Sequence, residues 1–269
     1  MLITNSPELA SHAEMCGVDR IFVDLEWMGK QERQGHLDTL ISYHSMSDVA
    51  KVKESLSQAE LLVRLNPLYD GTKAEINDAL AGGADLLMLP MFRNVQELKD
   101  FCILVDGRAG VVPLVETYDA AEAMAEIVTI SGVTEIYIGL NDLHLDMKLN
   151  FMFEPLANGY IDKLVSIINS AGLPFGFGGI ARVGEGIIPG GQILAEHIRL
   201  CSSSVILSRT FHRKSENISY FKDNVDLRNE LDKLNKEGNK LKARSTEQIA
   251  ADHRMFQNVV AEIVKVKKI

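Results

Sequence analysis

A chain of 269 residues that is 46% hydrophobic, 24% charged and only 6% aromatic has the composition of one large globular domain with a full core. Its formal net charge of -9, with no long basic run, argues against a nucleic-acid or anionic-membrane surface. Cys16, Cys102 and Cys201 form neither a disulfide framework nor a CxxC metal site, and there is no spanning apolar window or signal-like start, so the expected compartment is the cytoplasm.

In chain order, short aliphatic runs recur: "MLIT", "RIFVDLE", "LLVRLNP", "DLLMLPM", "GVVPLVET", "EIYIGLND", "PFGFGGIA" and "SSVILS". Between most of them lie amphipathic stretches such as "SPELASHAEMCG", "SDVAKVKESL", "TKAEINDALAGG", "NVQELKDFCILV" and "YDAAEAMAEIVTIS". Strand and helix in alternation predict a parallel sheet, and eight such units predict a (β/α)8 TIM barrel, with a doubly wound open sheet as the alternative. Capping signals agree: Ser6-Pro7 reads as N-cap and N1, Ser47-Asp48 as the next helix start, and Gly17, Gly82 and Gly132 as left-handed helix ends. The barrel is expected over 1–213. Residues 214–269 are charged, helical and strandless, with Leu227, Leu231, Leu234 and Leu241 in a narrow seam interrupted by Gly238. That extension packs either on its own barrel or on another subunit of a homo-oligomer.

Chemistry in a parallel barrel sits where the strands end. The ends carry Asp24 and Glu26 (second strand), Arg64 (third), Glu116 (fifth) and Asp142 (sixth), with Arg182 and Arg209 after the seventh and eighth. Carboxylates without nearby Cys or HxxxH suit a hard divalent cation such as Mg²⁺ or Mn²⁺ that keeps several waters. An arginine opposite such an ion matches a developing oxyanion, and backbone amides from Gly139 to Asp142 could hold a substrate carboxylate. The plainer alternative is that Glu116 and Asp142 cap the helices that follow them.

From Asp19 to about Arg213, the blocks "FVDLE", "VRLNP", "GGADLLMLPMF", "PLVET" and "IGLNDLHL" resemble, in order and spacing, the HpcH/HpaI aldolase and citrate lyase β-subunit family. The resemblance implies a phosphoenolpyruvate/pyruvate-type barrel that makes or breaks a C–C bond beside a metal-bound enolate. By it Glu116 and Asp142 are the ligands of Mg²⁺ or another divalent ion (Mn²⁺, Co²⁺), and Arg64 contacts the keto oxygen. Asp24 and Glu26 resemble the acids that hold the ion's waters, and Asn141-Asp142 the carboxylate pocket. Three positions depart from the family pattern: Trp27 stands where D-x-E is usually followed by an acid–base histidine, Leu114 where a glutamine is common, and Ala81 where an acid is. Indole cannot shuttle protons.

The proton-transfer role then falls to another residue. His144, two positions after Asp142, is the first candidate and His44 the second, with His36 in the same long segment as His44. His12 reads as structural, His197 as helix surface or strand support, His212 as flanking the eighth strand, and His253 lies in the extension. "GFGGIARVGEG" has neither GxGxxG nor P-loop spacing, so Gly178 and Gly179 read as close-approach positions and Arg182 as an anchor for a phosphate or carboxylate of the second substrate. The expected activity is a class II pyruvate aldolase type of lyase joining a 2-oxo acid and an aldehyde. The alternatives are a citrate-lyase-like acyl-CoA lyase or a catalytically altered ligand-binding member of the family.

Overall fold

The structure, a computed structural model, describes residues 1–29, 44–211, 221–222 and 224–267. Eight strands form one parallel sheet in sequence order: β1 (Leu2–Ile3), β2 (Arg20–Asp24), β3 (Glu60–Arg64), β4 (Leu86–Leu89), β5 (Gly110–Val115), β6 (Ile136–Ile138), β7 (Phe175–Ile180) and β8 (Ser204–Leu207). All eight apolar runs of the sequence are strands. The sheet nearly closes on itself, because Met1 donates to the Val205 carbonyl (2.8 Å) and accepts from the Leu207 amide (2.9 Å). These bonds cover part of both outer edges of the sheet.

Helices α1 (Pro7–Cys16), α2 (Met46–Glu54), α3 (Thr72–Ala81), α4 (Val95–Val105), α5 (Tyr118–Glu122), α6 (Met124–Ile127), α7 (Leu140–Asp146), α8 (Glu154–Ala157), α9 (Tyr160–Ser170) and α10 (Gly190–Leu200) surround the barrel. The Ser6 hydroxyl accepts from the Leu9 amide at 3.2 Å, as an N-cap should. The second helix starts two residues before the expected Ser47: Ser45 is its N-cap and forms a capping box with Asp48. The left-handed turn expected at Gly82 is at Gly83, with φ +91°.

Period-two alternation divides each strand between two cores. One face of the strands, with residues such as Ile21, Val23, Leu61, Val63, Leu87 and Val115, packs against the helices. The other face fills the barrel with Phe22, Leu62, Leu86, Met88, Val112, Leu114 and Tyr137. Each such buried side chain contributes about 1.5–3 kcal/mol. Tyr137 crosses the interior: its hydroxyl donates to the Gly178 carbonyl (2.7 Å) and accepts from the Ile206 amide (3.0 Å). A Cβ at Gly176 would lie 2.5 Å from the Tyr137 ring, so glycine there makes room for it.

The extension forms α11 (Leu227–Lys242) and α12 (Thr246–Lys267). Helix α11 rests on α10 and α1, and α12 on α10 and α8. The leucine seam is used within the chain: Leu227 is buried and Leu231 and Leu234 pack on the core. Among the described residues no helix is long and apolar enough to cross a membrane.

Candidate functional site

Two residues past Phe22, Leu62 and Leu114 on the same interior face lie Asp24, Arg64 and Glu116. The alternation that builds the core therefore delivers them as the next layer, at the barrel mouth. Asp24 is buried and binds Arg64 through both oxygens, to Nε at 2.8 Å and Nη2 at 2.8 Å. Glu26, also buried, lies 3.4 Å from Arg64 Nη1, and the guanidinium sits over the Phe22 ring at 5.5 Å. Burial works against the charge on Arg64, but Asp24 and Glu26 outweigh it and hold the guanidinium's pKa above its ordinary value. The paired carboxylate fixes the arginine's plane.

Glu116 is only 3% exposed. Burial, then the carboxylates of Asp142 and Glu26, push its pKa well up, against the opposing effect of Arg64. Its Oε1 accepts from the Met91 amide at 3.1 Å, and Met91 is held at φ +54°, in the left-handed region. Thr117 fixes the same exit by donating to the Phe92 carbonyl at 2.7 Å. At Gly139, a Cβ would lie 2.8 Å from both Cβ and Oε2 of Glu116, so the end of β6 leaves the space that carboxylate occupies. Asp142 follows in the first turn of α7 and is buried. Sequence reading missed Met91 and Asn66, and took Gly139 for a backbone donor only, not for the space beside Glu116. For Gly139 a signal existed, a glycine directly after the apolar "IYI".

Residues 140–146 are a helix, not the loop that a metal-facing His144 required. Two residues on a helix are about 200° apart, so His144 turns away from the face that carries Asp142. Its Nδ1 bonds the Asn141 carbonyl, and its pKa is lowered by burial, with Lys267 of α12 adding to the effect and the Asn141 and Leu140 carbonyls opposing it. His144 and Asp142 thus leave α7 in different directions, with Asp142 still near enough to act on the ring's charge. His44 does stand at the site: the Asp24 amide donates to its Nδ1 at 3.0 Å, which puts a neutral ring's proton on Nε2. Trp27, where the family histidine is expected, exposes its indole to solvent. His36, His212 and the Arg209 side chain lie outside the described residues.

Arg182 is 5% exposed, and among the described residues its Nε and Nη2 have no hydrogen-bond partner. Its Nη1 is 3.8 Å from Glu185, and the guanidinium lies 5.8 Å from the centre of Phe211. The Nε/Nη2 edge is the one with which Arg64 grips Asp24. Away from the mouth, a cavity of about 370 Å³ lies under α11, lined by His197, Ser204, Leu234 and Gly238 and by none of the clustered acids. Among the described residues no three His, Cys, Asp or Glu side chains form a ready metal cluster; Glu116 and Asp142 are close enough for their charges to interact. Both are hard oxygen donors.

Residues 2–152 match the HpcH/HpaI aldolase/citrate lyase family, more than half of the chain. The chain belongs to that family. No curated protein matches it. Among solved structures, protein CitE from Mycobacterium tuberculosis, in complex with magnesium and acetate, is similar at 15% identity and a TM-score of 0.60, over 94% of this chain and 95% of that one. The HpcH/HpaI aldolase from Desulfitobacterium hafniense DCB-2 is similar at 14% identity and a TM-score of 0.59, over 77% of this chain and 84% of that one. RipC from Yersinia pestis is similar at 17% identity and a TM-score of 0.56, over 92% and 96% respectively. At such identities the likeness is one of fold, and the family is one of aldolases and lyases.

Proposed function

We propose that the chain is a divalent-metal-dependent carbon–carbon lyase of class II pyruvate aldolase type. It forms or cleaves a bond between a 2-oxo acid such as pyruvate and an aldehyde. One observation carries the reading: among the described residues, four buried carboxylates, Asp24, Glu26, Glu116 and Asp142, gather near the Arg64 guanidinium, and burial, then repulsion from Asp142 and Glu26, raises the Glu116 pKa. A cation relieves that repulsion. Glu116 and Asp142 would hold it, and oxygen donors suit Mg²⁺, Mn²⁺ or Co²⁺.

A divalent ion bound there supplies Lewis acidity to the 2-oxo acid, which lowers the cost of the enolate. Asp24 takes two of the five N–H groups of Arg64 and Glu26 faces a third, which leaves the outer edge for the substrate's keto oxygen. The backbone at Asn141 and Asp142 would meet the substrate carboxylate. His44, which accepts from the Asp24 amide through Nδ1, would be the imidazole nearest the acids of the β2 exit. Arg182 would take an anionic group on the second substrate, since a buried guanidinium edge without a partner is costly and fits a carboxylate. The free cysteines fit a cytoplasmic enzyme of small molecules. Assembly as a homo-oligomer belongs to the same reading.

The test is solvent deuterium exchange into the pyruvate methyl group, followed by NMR with and without Mg²⁺ or Mn²⁺. Metal-dependent exchange that disappears in Glu116→Gln and Asp142→Asn is the expected result. No exchange with any ion would overturn the reading in favour of a ligand-binding protein, which the indole at Trp27 favours. Consumption of an acyl-CoA instead would favour the citrate-lyase-like alternative.

A further inference from the structure

The cavity of about 370 Å³ under α11 falls in the size range of small-molecule sites. Its walls are the helix side of β7 and β8, through Ile180 and Leu207, and Leu194, Leu231 and Leu234 from α10 and α11. Two features set it apart from a gap in packing. His197 of α10 lines it at 4% exposure, and its Nε2 has no hydrogen-bond partner among the described residues. A buried polar atom in that state is costly. The ring itself is fixed, because Nδ1 bonds the Ser202 hydroxyl at 2.6 Å and the imidazole stacks on Phe177. The second feature is Gly238, buried in the interior of α11 and also in the cavity wall. Glycine is unfavourable inside a helix, and packing does not call for it here: beyond its own helix a Cβ would meet only Leu194 Cδ2, at 3.9 Å, an ordinary contact. The missing side chain keeps the cavity open.

The charges around this space are balanced. Arg20 donates to Glu60 and Glu135, at 2.8 Å each, and the Met1 amine, whose pKa burial lowers to about 6, donates to the Val205 carbonyl. Asp19 and Lys242 remain, both exposed and opposite in sign. Neither an anion nor a cation is favoured by that lining. A hydroxyl both donates and accepts, so it satisfies Nε2 of a neutral imidazole in either tautomer. We propose that this cavity is a second small-molecule site, apart from the barrel mouth, for an uncharged alcohol with a compact apolar body. The hydroxyl bonds His197 Nε2, and the body packs on Leu194, Leu231 and Leu234 beside Gly238. This site does not depend on the lyase reading.

Benzyl alcohol, toluene, benzoate and benzylamine, which share one ring and differ in its polar group, are titrated into the whole protein and followed by saturation-transfer NMR. Saturable binding of benzyl alcohol is expected, tighter than that of each of the other three. Gly238→Leu, which fills the space, should abolish it. His197→Phe keeps an aromatic ring on Phe177 but removes Nε2, and should weaken benzyl alcohol by about fivefold or more while leaving toluene within about twofold. That variant carries the test if Gly238→Leu does not fold. Silence with all four compounds overturns the site. So does binding of toluene alone, which marks a plain apolar void, or a preference for benzoate or benzylamine. Alcohol binding that His197→Phe and a folded Gly238→Leu both leave unchanged lies elsewhere on the molecule and overturns it too.

Discussion

Two acid clusters in this molecule, one partly open in the helix ring and one buried at the barrel mouth, are built from the same residue types and differ in what they join. In the helix ring, Arg199 of α10 donates from Nε to Glu196 at 2.8 Å and also binds both oxygens of Asp162 on α9. His253 of α12 completes the group at 2.9 Å from Glu196. There, two carboxylates meet one guanidinium and one imidazole, and three helices are tied together. At the mouth, among the described residues, Asp24 and Glu26 of the β2 exit, Glu116 of the β5 exit and Asp142 of α7 gather near the guanidinium of Arg64. Ion pairs between helices hold those helices in place, whereas buried acids gathered at one strand-end mouth favour a ligand of the opposite sign.

Breaking the ring cluster should produce the larger loss of stability. In Arg199→Met, buried Glu196 and partly exposed Asp162 lose their guanidinium; solvent screens the Asp162 pair, so the loss should fall at or below the low end of the about 3–5 kcal/mol that breaking a fully buried pair costs. Urea denaturation at pH 7 measures this. The same variant, kept at a temperature where it is folded, should retain metal-dependent pyruvate exchange. A variant as stable as the parent would show that the ring cluster is ornamental and would undo the contrast.

The opposite outcome is expected at the mouth. Arg64→Lys should keep Mn²⁺ binding while turnover falls by about 10², because an ammonium cannot both grip Asp24 through two bonds and present a fixed outer edge. Steady-state kinetics beside a Mn²⁺ titration separates the two effects. Near-normal turnover would make Arg64 a structural partner of Asp24, like Arg199 in the ring.

A third buried group sharpens the contrast through pH. His197 stacks on Phe177 at 3.8 Å between ring centres, its Nδ1 bonds Ser202 at 2.6 Å, and burial pushes its pKa from 6.5 down to about 3. The folded form therefore binds its proton later than the unfolded chain does. Its contribution is fully present above pH 6.5 and is lost as the pH falls toward 3, by about 1.4 kcal/mol for each unit within that window. Denaturation midpoints between pH 7 and 4 should show a steeper loss in the parent than in His197→Gln. Equal slopes would mean that the ring is already charged in the fold.

The barrel was legible because its signal is repeated: eight apolar runs, most of them followed by an amphipathic stretch, agree with one another even where a single one is ambiguous. The mouth acids were legible for the same reason, since alternation along β2, β3 and β5 puts Asp24, Arg64 and Glu116 on the face of Phe22, Leu62 and Leu114. What stayed hidden depends on direction or on distant partners. Ser45 rather than Ser47 caps α2 because Asp48 closes the box from three residues on. The leucine seam of α11 was open to two partners, and α10 and α1 of the same chain use it. Met91 carries no local sign that its amide serves Glu116.

His144 is the sharpest case of hidden direction, and the smallest effect is expected there. As a loop residue after Asp142 it could have faced the ion, but as the fifth residue of α7 it is turned about 200° from Asp142 toward Lys267. Its Nδ1 is committed to the Asn141 carbonyl one turn back, so the ring braces the helix that carries Asp142. His144→Asn should therefore change the rate of pyruvate deuterium exchange by less than about threefold. Loss of a general acid–base group would slow it by about 10² or more. The companion variant His44→Asn, which removes the imidazole beside Asp24, should slow exchange more than His144→Asn does. If the order is reversed, α7 carries two working groups on opposite faces, and the proton path runs through the helix side of the mouth rather than through β2.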